Sequence, residues 1–470
     1  MRSSYEPMLG EGPKGRALGA AIQHDVQRGR LVVGERLPGA RSLAGRLGLA
    51  RGTVDRVYEE LSAEGWLVRR SGEGTFVSDR LPTALPDAVV AASGVGFDLP
   101  DQGLTRRKVV PPPTRFALLG GRPDLRLLPL DELARAYRRV LRGRGRRLVD
   151  YGPPEGTPRL KKALSDWLAE TRSLRPVEGG LLVTRGSQQG LYLVARALLR
   201  PGDRVGVEAM GYPPAWEALR AAGAVLVPLA LDDEGARVDA LPSGLRAVYV
   251  TPHHQYPTGA TLSAGRRLRL LQWAAAERVA VIEDDYDHEY HYEGPPVAPL
   301  VAADRAGVVV SIGTLSKAFA PGLRMGWVVA PPVLIDRLVQ WRLLVDRQGD
   351  QVMEHAVAEL IGDGVLGRHL RKTRRTYGSR RSVLRSALRR ALPGVVPADR
   401  PGGLALWCRV DRSADDVEAW AERCRGVDVH FETASSYTLD GSARPFVRLG
   451  FACHDAGELR EAVERMASVW

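Results

Sequence analysis

The chain has 470 residues, 44% of them hydrophobic and 26% charged, which is too long for one core and ordinary for a soluble protein of two or three domains. No run approaches the roughly 18 apolar residues of a membrane span, and the first 16 residues hold no apolar stretch of the secretory kind; a cytoplasmic protein without membrane contact is expected. The formal charge of +12 comes from 67 basic against 55 acidic side chains, and Cys408, Cys424 and Cys453 lie far apart with no CxxC spacing. A polyanionic partner is therefore a candidate, whereas a disulfide framework or a zinc knuckle is not.

In chain order, the first 80 residues read as a compact helical unit. Residues 15–28 and 42–47 predict two helices around the turn Leu37-Pro38-Gly39. Across 51–64 the apolar Val54, Val57, Tyr58 and Leu61 fall at i, i+3, i+4 and i+7, which predicts a third helix with one buried stripe. Strands at 67–70 and 75–78 flank Ser71-Gly72-Glu73-Gly74 and predict a hairpin. Three helices and a hairpin outline a winged helix, whose third helix enters the major groove while the wing touches backbone or minor groove. Arg41 and Arg51 suit phosphates or guanine edges, Thr53 a phosphate or a thymine methyl, and Gly72 close approach of the wing.

Residues 81–115 hold six prolines, at 82, 86, 100, 111, 112 and 113, and read as a semi-rigid linker. From 116 to 470, short apolar strands alternate with amphipathic helices; those at 181–184, 204–208, 225–229, 247–251, 279–284, 308–313 and 326–330 predict an α/β domain with a sheet buried on both faces. Ligands of such sheets sit at the carboxyl ends of strands. Gly186-Ser187-Gln188 opens a helix after the first strand and is a cradle for an anion. Glu283-Asp284-Asp285-Tyr286 places carboxylates and a phenol at another strand end, and Thr314-Leu315-Ser316-Lys317 places one of the chain's six lysines at a third, with Arg324 seven residues on. An amine, a carboxylate, a phenol and a phosphate cradle together fit pyridoxal phosphate: the aldehyde needs a lysine for a Schiff base, the pyridine nitrogen a carboxylate, and the phosphate N–H, hydroxyl and arginine donors. The histidines of His253-His254 and His288-x-x-His291 read as polar loop residues, with no metal expected.

Two resemblances sharpen these readings. Gly29-x-Leu31-x-x-Gly34-x-Arg36-Leu37-Pro38-x-x-Arg41, with Leu43-Ala44, Leu47-Gly48, Arg51-x-Thr53-Val54, Glu64-Gly65-Trp66-Leu67 and Gly72-x-Gly74-Thr75-Phe76-Val77, closely resembles the DNA-binding domain of GntR-family repressors. The resemblance implies Arg41, Arg51, Thr53 and Gly72 as DNA contacts. Ser311-x-Gly313-Thr314-x-Ser316-Lys317-x-x-x-Pro321-Gly322-Leu323-Arg324-x-Gly326 resembles the cofactor-lysine segment of fold type I aminotransferases. Asp150-Tyr151-Gly152-x-x-Glu155-Gly156, Gly211-Tyr212-Pro213 and Val447-Arg448-Leu449-Gly450-Phe451 resemble further segments of those enzymes, which implies that Tyr151 reaches the phosphate across a dimer, that Tyr212 stacks on the cofactor ring, and that Arg448 binds a ligand carboxylate. His254-Gln255-Tyr256-Pro257-Thr258-Gly259 stands where those enzymes usually have Asn-Pro-x-Gly, which leaves Tyr286 as the main partner of the ring oxygen. Together the halves, 1–80, 81–115 and 116–470, resemble the MocR/GabR-type regulators. That implies a homodimeric transcription factor on double-stranded operator DNA whose large domain senses pyridoxal phosphate or an amino compound, without net turnover; the alternative is an active aminotransferase with a DNA-binding appendage.

Overall fold

The structure is a computed structural model and describes residues 5–82, 98, 114–294 and 296–470. It falls into two compact units divided between Pro100 and Asp101, inside the proline-rich stretch; residues 83–97 and 99–113 of the predicted linker lie outside the described residues. Among the described residues no helix is long and apolar enough to cross a membrane.

The first unit contains α1 (Lys14–Gln27), α2 (Ala40–Leu47) and α3 (Arg51–Ala63), then β1 (Leu67–Arg70) and β2 (Gly74–Val77) paired antiparallel. The stripe Val54, Val57, Tyr58 and Leu61 is buried against Leu18 and Ile22 of α1 and Leu43 of α2, as its spacing requires. The Tyr58 hydroxyl donates to the Pro38 carbonyl at 2.9 Å, which ties α3 to the turn before α2. This is the predicted winged helix, with α2 starting two residues earlier than the periodicity indicates.

The second unit is built on a seven-stranded sheet. Its strands run, in spatial order, Leu181–Thr184, Gly326–Val329, Val309–Thr314, Ala280–Asp285, Ala247–Val250, Arg204–Glu208 and Val225–Leu229. All neighbours pair in parallel except Gly326–Val329, which is antiparallel to both of its neighbours. These are the seven strands expected, each within about a residue. The interior ones are buried except at the first residues Arg204 and Ala280, while Val225–Leu229 is partly exposed because it closes one edge of the sheet.

One feature departs from a single alternating layer. Val395–Pro397, Ala405–Val410, Phe446–Gly450 and Glu432–Thr433 form a separate four-stranded antiparallel sheet. It packs with the 27-residue helix Val365–Ala391 and the helix Ala456–Ser468 into the larger apolar core. Arg448 sits on Phe446–Gly450, one of the two inner strands of this second sheet, and sequence pattern alone did not separate that layer from the first.

Candidate functional site

Five strand ends of the large sheet converge on one cavity of about 220 Å³. Of the residues expected there, Ser187, Gln188, Tyr212, Asp284, Tyr286, Thr314, Lys317 and Arg324 all line it, together with Gly120, Gly121, Tyr249, Thr251, Tyr256, Ser316 and Pro321. Lys317 rides on the short helix Leu315–Ala318. The Thr314 hydroxyl oxygen caps that helix by accepting from the Ser316 N–H at 3.0 Å, which fixes where the lysine begins. Burial, and then the Arg448 charge, lower the lysine's pKa to about 8, against the opposing pull of Asp287 and Asp284.

Asp284 is the last residue but one of the strand Ala280–Asp285. Its Oδ2 accepts the Tyr249 hydroxyl at 2.8 Å, while its buried Oδ1 has no partner. Burial raises this carboxyl to about 7, opposed mainly by the Tyr249 hydrogen bond. A cationic ring nitrogen brought to the free oxygen would restore the charge that burial disfavours. Glu208, at the end of the next strand but one, is pushed to about 7 by burial and accepts from the Thr251 hydroxyl at 2.7 Å. That bond holds the turn leading to Tyr256.

The anion cradle is a helix start. Gly186 has φ +75° and opens the helix Gly186–Leu198; a Cβ there would meet Arg324 Nη2 at 2.9 Å. Glycine is thus required both by the left-handed backbone and by the arginine lying against it. Arg324 donates to the Arg185 carbonyl at 2.9 Å, and Gln188 donates to the Pro214 carbonyl at 2.9 Å while its buried Oε1 has no partner.

Arg448 lies beside the cavity. It is buried, its Nε and Nη1 lack partners, and its guanidinium stands 4.3 Å over the Tyr256 ring. Burial works against its charge, but the phenols of Tyr256, Tyr437 and Tyr286 outweigh it, so its pKa lies above the ordinary value. A Cβ on Gly120 would fall 1.9 Å from Arg448 Nη1, so the loop 118–121 closes the cavity only because residue 120 has no side chain. Gly120 and Gly121 were missed by sequence reasoning, as was Tyr249, which sits in the middle of an apolar strand with no local signal. Tyr256 occupies the Asn position of the aminotransferase turn, and its ring packs edge-on against Tyr212, Tyr286 and Tyr437 at 5.3–5.8 Å.

Tyr151 is not brought to this cavity. It is 73% exposed, with the Arg347 guanidinium 4.0 Å over its ring. The four histidines read as polar loop residues do lie in the strand-end loops, and they are buried together beside Asp285 and Asp287. The strand-end turns fold over one another and shut them in, which a linear sequence does not show.

In the first unit a groove is lined by Arg36, Arg41, Ser42, Arg46, Arg51 and Asp55. Arg51 pairs with Asp55 at 3.3 Å and keeps most of its side chain in water. Arg36 and Arg46 complete the basic rim and were not singled out from the sequence. Thr53 is half-buried with its methyl facing α1 at Gly15, and Gly72 lies in the exposed wing turn.

Comparison with known proteins agrees with this architecture. Residues 121–466 match the family of class I and II aminotransferases, and residues 14–77 match the bacterial regulatory proteins of the gntR family. Among solved structures, kynurenine aminotransferase of Pyrococcus horikoshii is 28% identical with a TM-score of 0.70, over 75% of this chain and 90% of that one. Thermus thermophilus LysN, an α-aminoadipate aminotransferase complexed with N-(5'-phosphopyridoxyl)-L-leucine, is 29% identical with a TM-score of 0.69, over 75% and 91%. Fold and site therefore define a GntR-type winged helix joined to a fold type I aminotransferase domain. Two regulators match along nearly their whole length. The probable rhizopine catabolism regulatory protein MocR of Rhizobium meliloti is 33% identical over 97% of this chain and 94% of its own. The pyridoxine biosynthesis regulator PdxR of Corynebacterium glutamicum is 33% identical over 93% and 92%. The chain belongs to the MocR-type transcriptional regulators.

Proposed function

We propose that this regulator holds pyridoxal 5'-phosphate at Lys317 and uses the loaded cavity as a sensor of an amino compound or of the vitamer itself. The observation that carries the reading is a pair lining one cavity: a lysine amine depressed to about 8 and a buried aspartate oxygen without a partner. When bound, the cofactor supplies an aldehyde for the lysine amine and an electron-withdrawing ring. Asp284 would hold the ring nitrogen, Tyr212 would face the ring, and Tyr286 would donate to the ring oxygen. The helix start at Ser187 and Gln188, with Thr314 and Arg324, would take the phosphate. Arg448 has two donors to spare for the carboxylate of a ligand. Tyr151, exposed on its own chain, would reach the partner's site in a homodimer. No metal has a role in this reading.

The basic groove, with Arg41 and Arg51 as its main contacts and Thr53 and Gly72 beside them, would take double-stranded operator DNA. Dimeric binding gains affinity only when linker reach and half-site spacing agree. Shortening residues 81–115 is therefore expected to abolish tight operator binding with cofactor absorbance intact; equal binding by the shortened chain would refute that arrangement. The sensor reading is tested by fluorescence anisotropy on the DNA upstream of the protein's own gene, with cofactor removed and then restored. A change in affinity with pyridoxal phosphate alone makes the vitamer the signal, and a change that needs an added amine makes the amine the signal. Indifference to both overturns the sensor role.

A further inference from the structure

Behind the cavity, His253, His254, His288 and His291 are buried beside Asp285 and Asp287. Two triplets, His253/His254/His291 and His253/Asp285/His288, bring one ligand atom each within 4.8 Å, so direction decides between a cation cage and a hydrogen-bonded line. His254 Nε2 and His291 Nδ1 are 3.3 Å apart, in rings whose planes are 7° from parallel and whose centroids are 5.6 Å apart. That centroid distance equals the nitrogen separation plus two ring radii, so both nitrogens lie on the line of centres. A metal needs lone pairs that meet at an angle, about 2.0–2.1 Å from each nitrogen. His253 and His288 stack at 4.3 Å and 22°, so their lone pairs lie in two nearly parallel planes, and His288 Nδ1 is already 2.9 Å from Asp285 Oδ2. The arrangement is a hydrogen-bonded line.

The line begins at Asp287, whose Oδ1 lies 2.7 Å from His254 Nδ1, with side-chain exposures of 2% and 0%. It ends at the backbone of Glu293, a contact that favours the protonated His291 ring. A carboxylate and a carbonyl are acceptors only, so three bonds need three N–H groups, and two neutral imidazoles supply two. All three bonds form when the pair holds one extra proton. The facing nitrogens have room for one proton between them, which limits the pair to one such proton, while burial and then the charge of His254 push the His291 ring down. The other groups facing the line are His253, whose ring centre is 4.3 Å from that of His254, His288 stacked on it, and Asp285, Arg267 and Arg374 acting on these rings.

We propose that His254 and His291 share an added proton opposite Asp287, and that His254 is thereby a positioning residue that clasps the two tyrosine-bearing turns and cancels the Asp287 charge seen by Lys317. His254 lies two residues before Tyr256, in the turn after Ala247–Val250. Asp287 directly follows Tyr286, after the adjacent strand Ala280–Asp285. The clasp therefore sets the edge-on packing of Tyr256 on Tyr286 at 5.8 Å. The inference deepens the reading of Lys317 as the cofactor lysine, and its test is independent of the cofactor.

The test is the pH midpoint of Lys317 reductive methylation by formaldehyde and cyanoborohydride in cofactor-free full-length protein, followed by mass spectrometry of the Lys317 peptide. In H254N the Asn side chain keeps a donor toward Asp287 but carries no proton charge. Asp287 is then uncompensated and favours protonated Lys317, so the midpoint rises and methylation at pH 7 falls about tenfold. D287N is expected not to raise the midpoint, and the double variant H254N/D287N to return it to the wild-type value. An unmoved midpoint in H254N overturns the proposal. If H254N does not fold, H291F is read in its place, with a rise expected and an unmoved midpoint equally fatal. Formation of a visible absorbance band by wild type with pyridoxal phosphate is followed in parallel. Its absence would sink the cofactor reading and leave the Lys317 titration to decide the clasp.

Discussion

The two arginine-bearing faces of this protein use one side chain in opposite settings. In the winged helix, Arg51 stands largely in water with Asp55 3.3 Å away, where the surrounding solvent and salt screen its field. In the large unit, Arg448 is buried with two unpartnered nitrogens and phenol rings around it, where charge is costly and any anion that neutralises it gains strongly. The first face suits many phosphates read weakly and together; the second suits one small ligand held in one orientation. A regulator that joins a polyanion to a metabolite needs both.

Four experiments would break or sharpen that contrast. The largest effect is expected from K317A, which removes the amine on which retention of pyridoxal phosphate depends: absorbance of the cofactor after gel filtration should vanish, while cofactor-free operator binding stays. R51A should weaken operator binding by about 1–3 kcal/mol and lower the salt dependence, measured by anisotropy at several salt concentrations, with cofactor retention unaltered. Equal salt dependence in R51A and wild type would remove Arg51 from the phosphate face.

The next is a stability measurement. Lys317 has a folded pKa of about 8, below its ordinary 10.5, so the unfolded chain binds more protons between those values and stability rises with pH across that window. Cofactor-free K317M should therefore be more stable than wild type at pH 7, by up to about 3 kcal/mol, with the gain shrinking above pH 8 and gone by about 10.5 in thermal melts. The smallest effect is expected from Y249F, which deletes the hydroxyl on Asp284 Oδ2. Cofactor affinity should fall by about 1 kcal/mol by absorbance titration, and unchanged affinity would show that Tyr249 only packs.

Both sites were legible in the chain to different depths. The recognition helix is local: Val54, Val57, Tyr58 and Leu61 mark its buried stripe, and Arg51 at its leading end follows from that phase. In the large unit, Lys317, Asp284, Tyr286 and Ser187 were found because each lies at or just past the end of an apolar strand, and Arg324 because it follows Lys317 by seven residues; a mostly parallel sheet gathers such ends at one edge. Gly120, Tyr249 and Tyr256 escaped because their roles depend on what faces them across the fold: Arg448 against Gly120, Asp284 against Tyr249, and Arg448 over Tyr256. The histidines do lie in loops, as read, but their burial was not legible for the same reason, since solvent exposure is a property of the packed turns and not of the residues.

Sequence by itself determined the winged helix, the order and extent of the seven strands, and the side chains that end them, because helix phase, strand period and chain order are one-dimensional signals. Tertiary structure alone decided which strand ends become neighbours and that Arg448 arrives from a second sheet. It also decided that Lys317 and Asp284 lie buried, where desolvation moves one pKa down and the other up. Burial and long-range contact are set by how segments far apart in the chain exclude water from one another, and no local pattern encodes that distance.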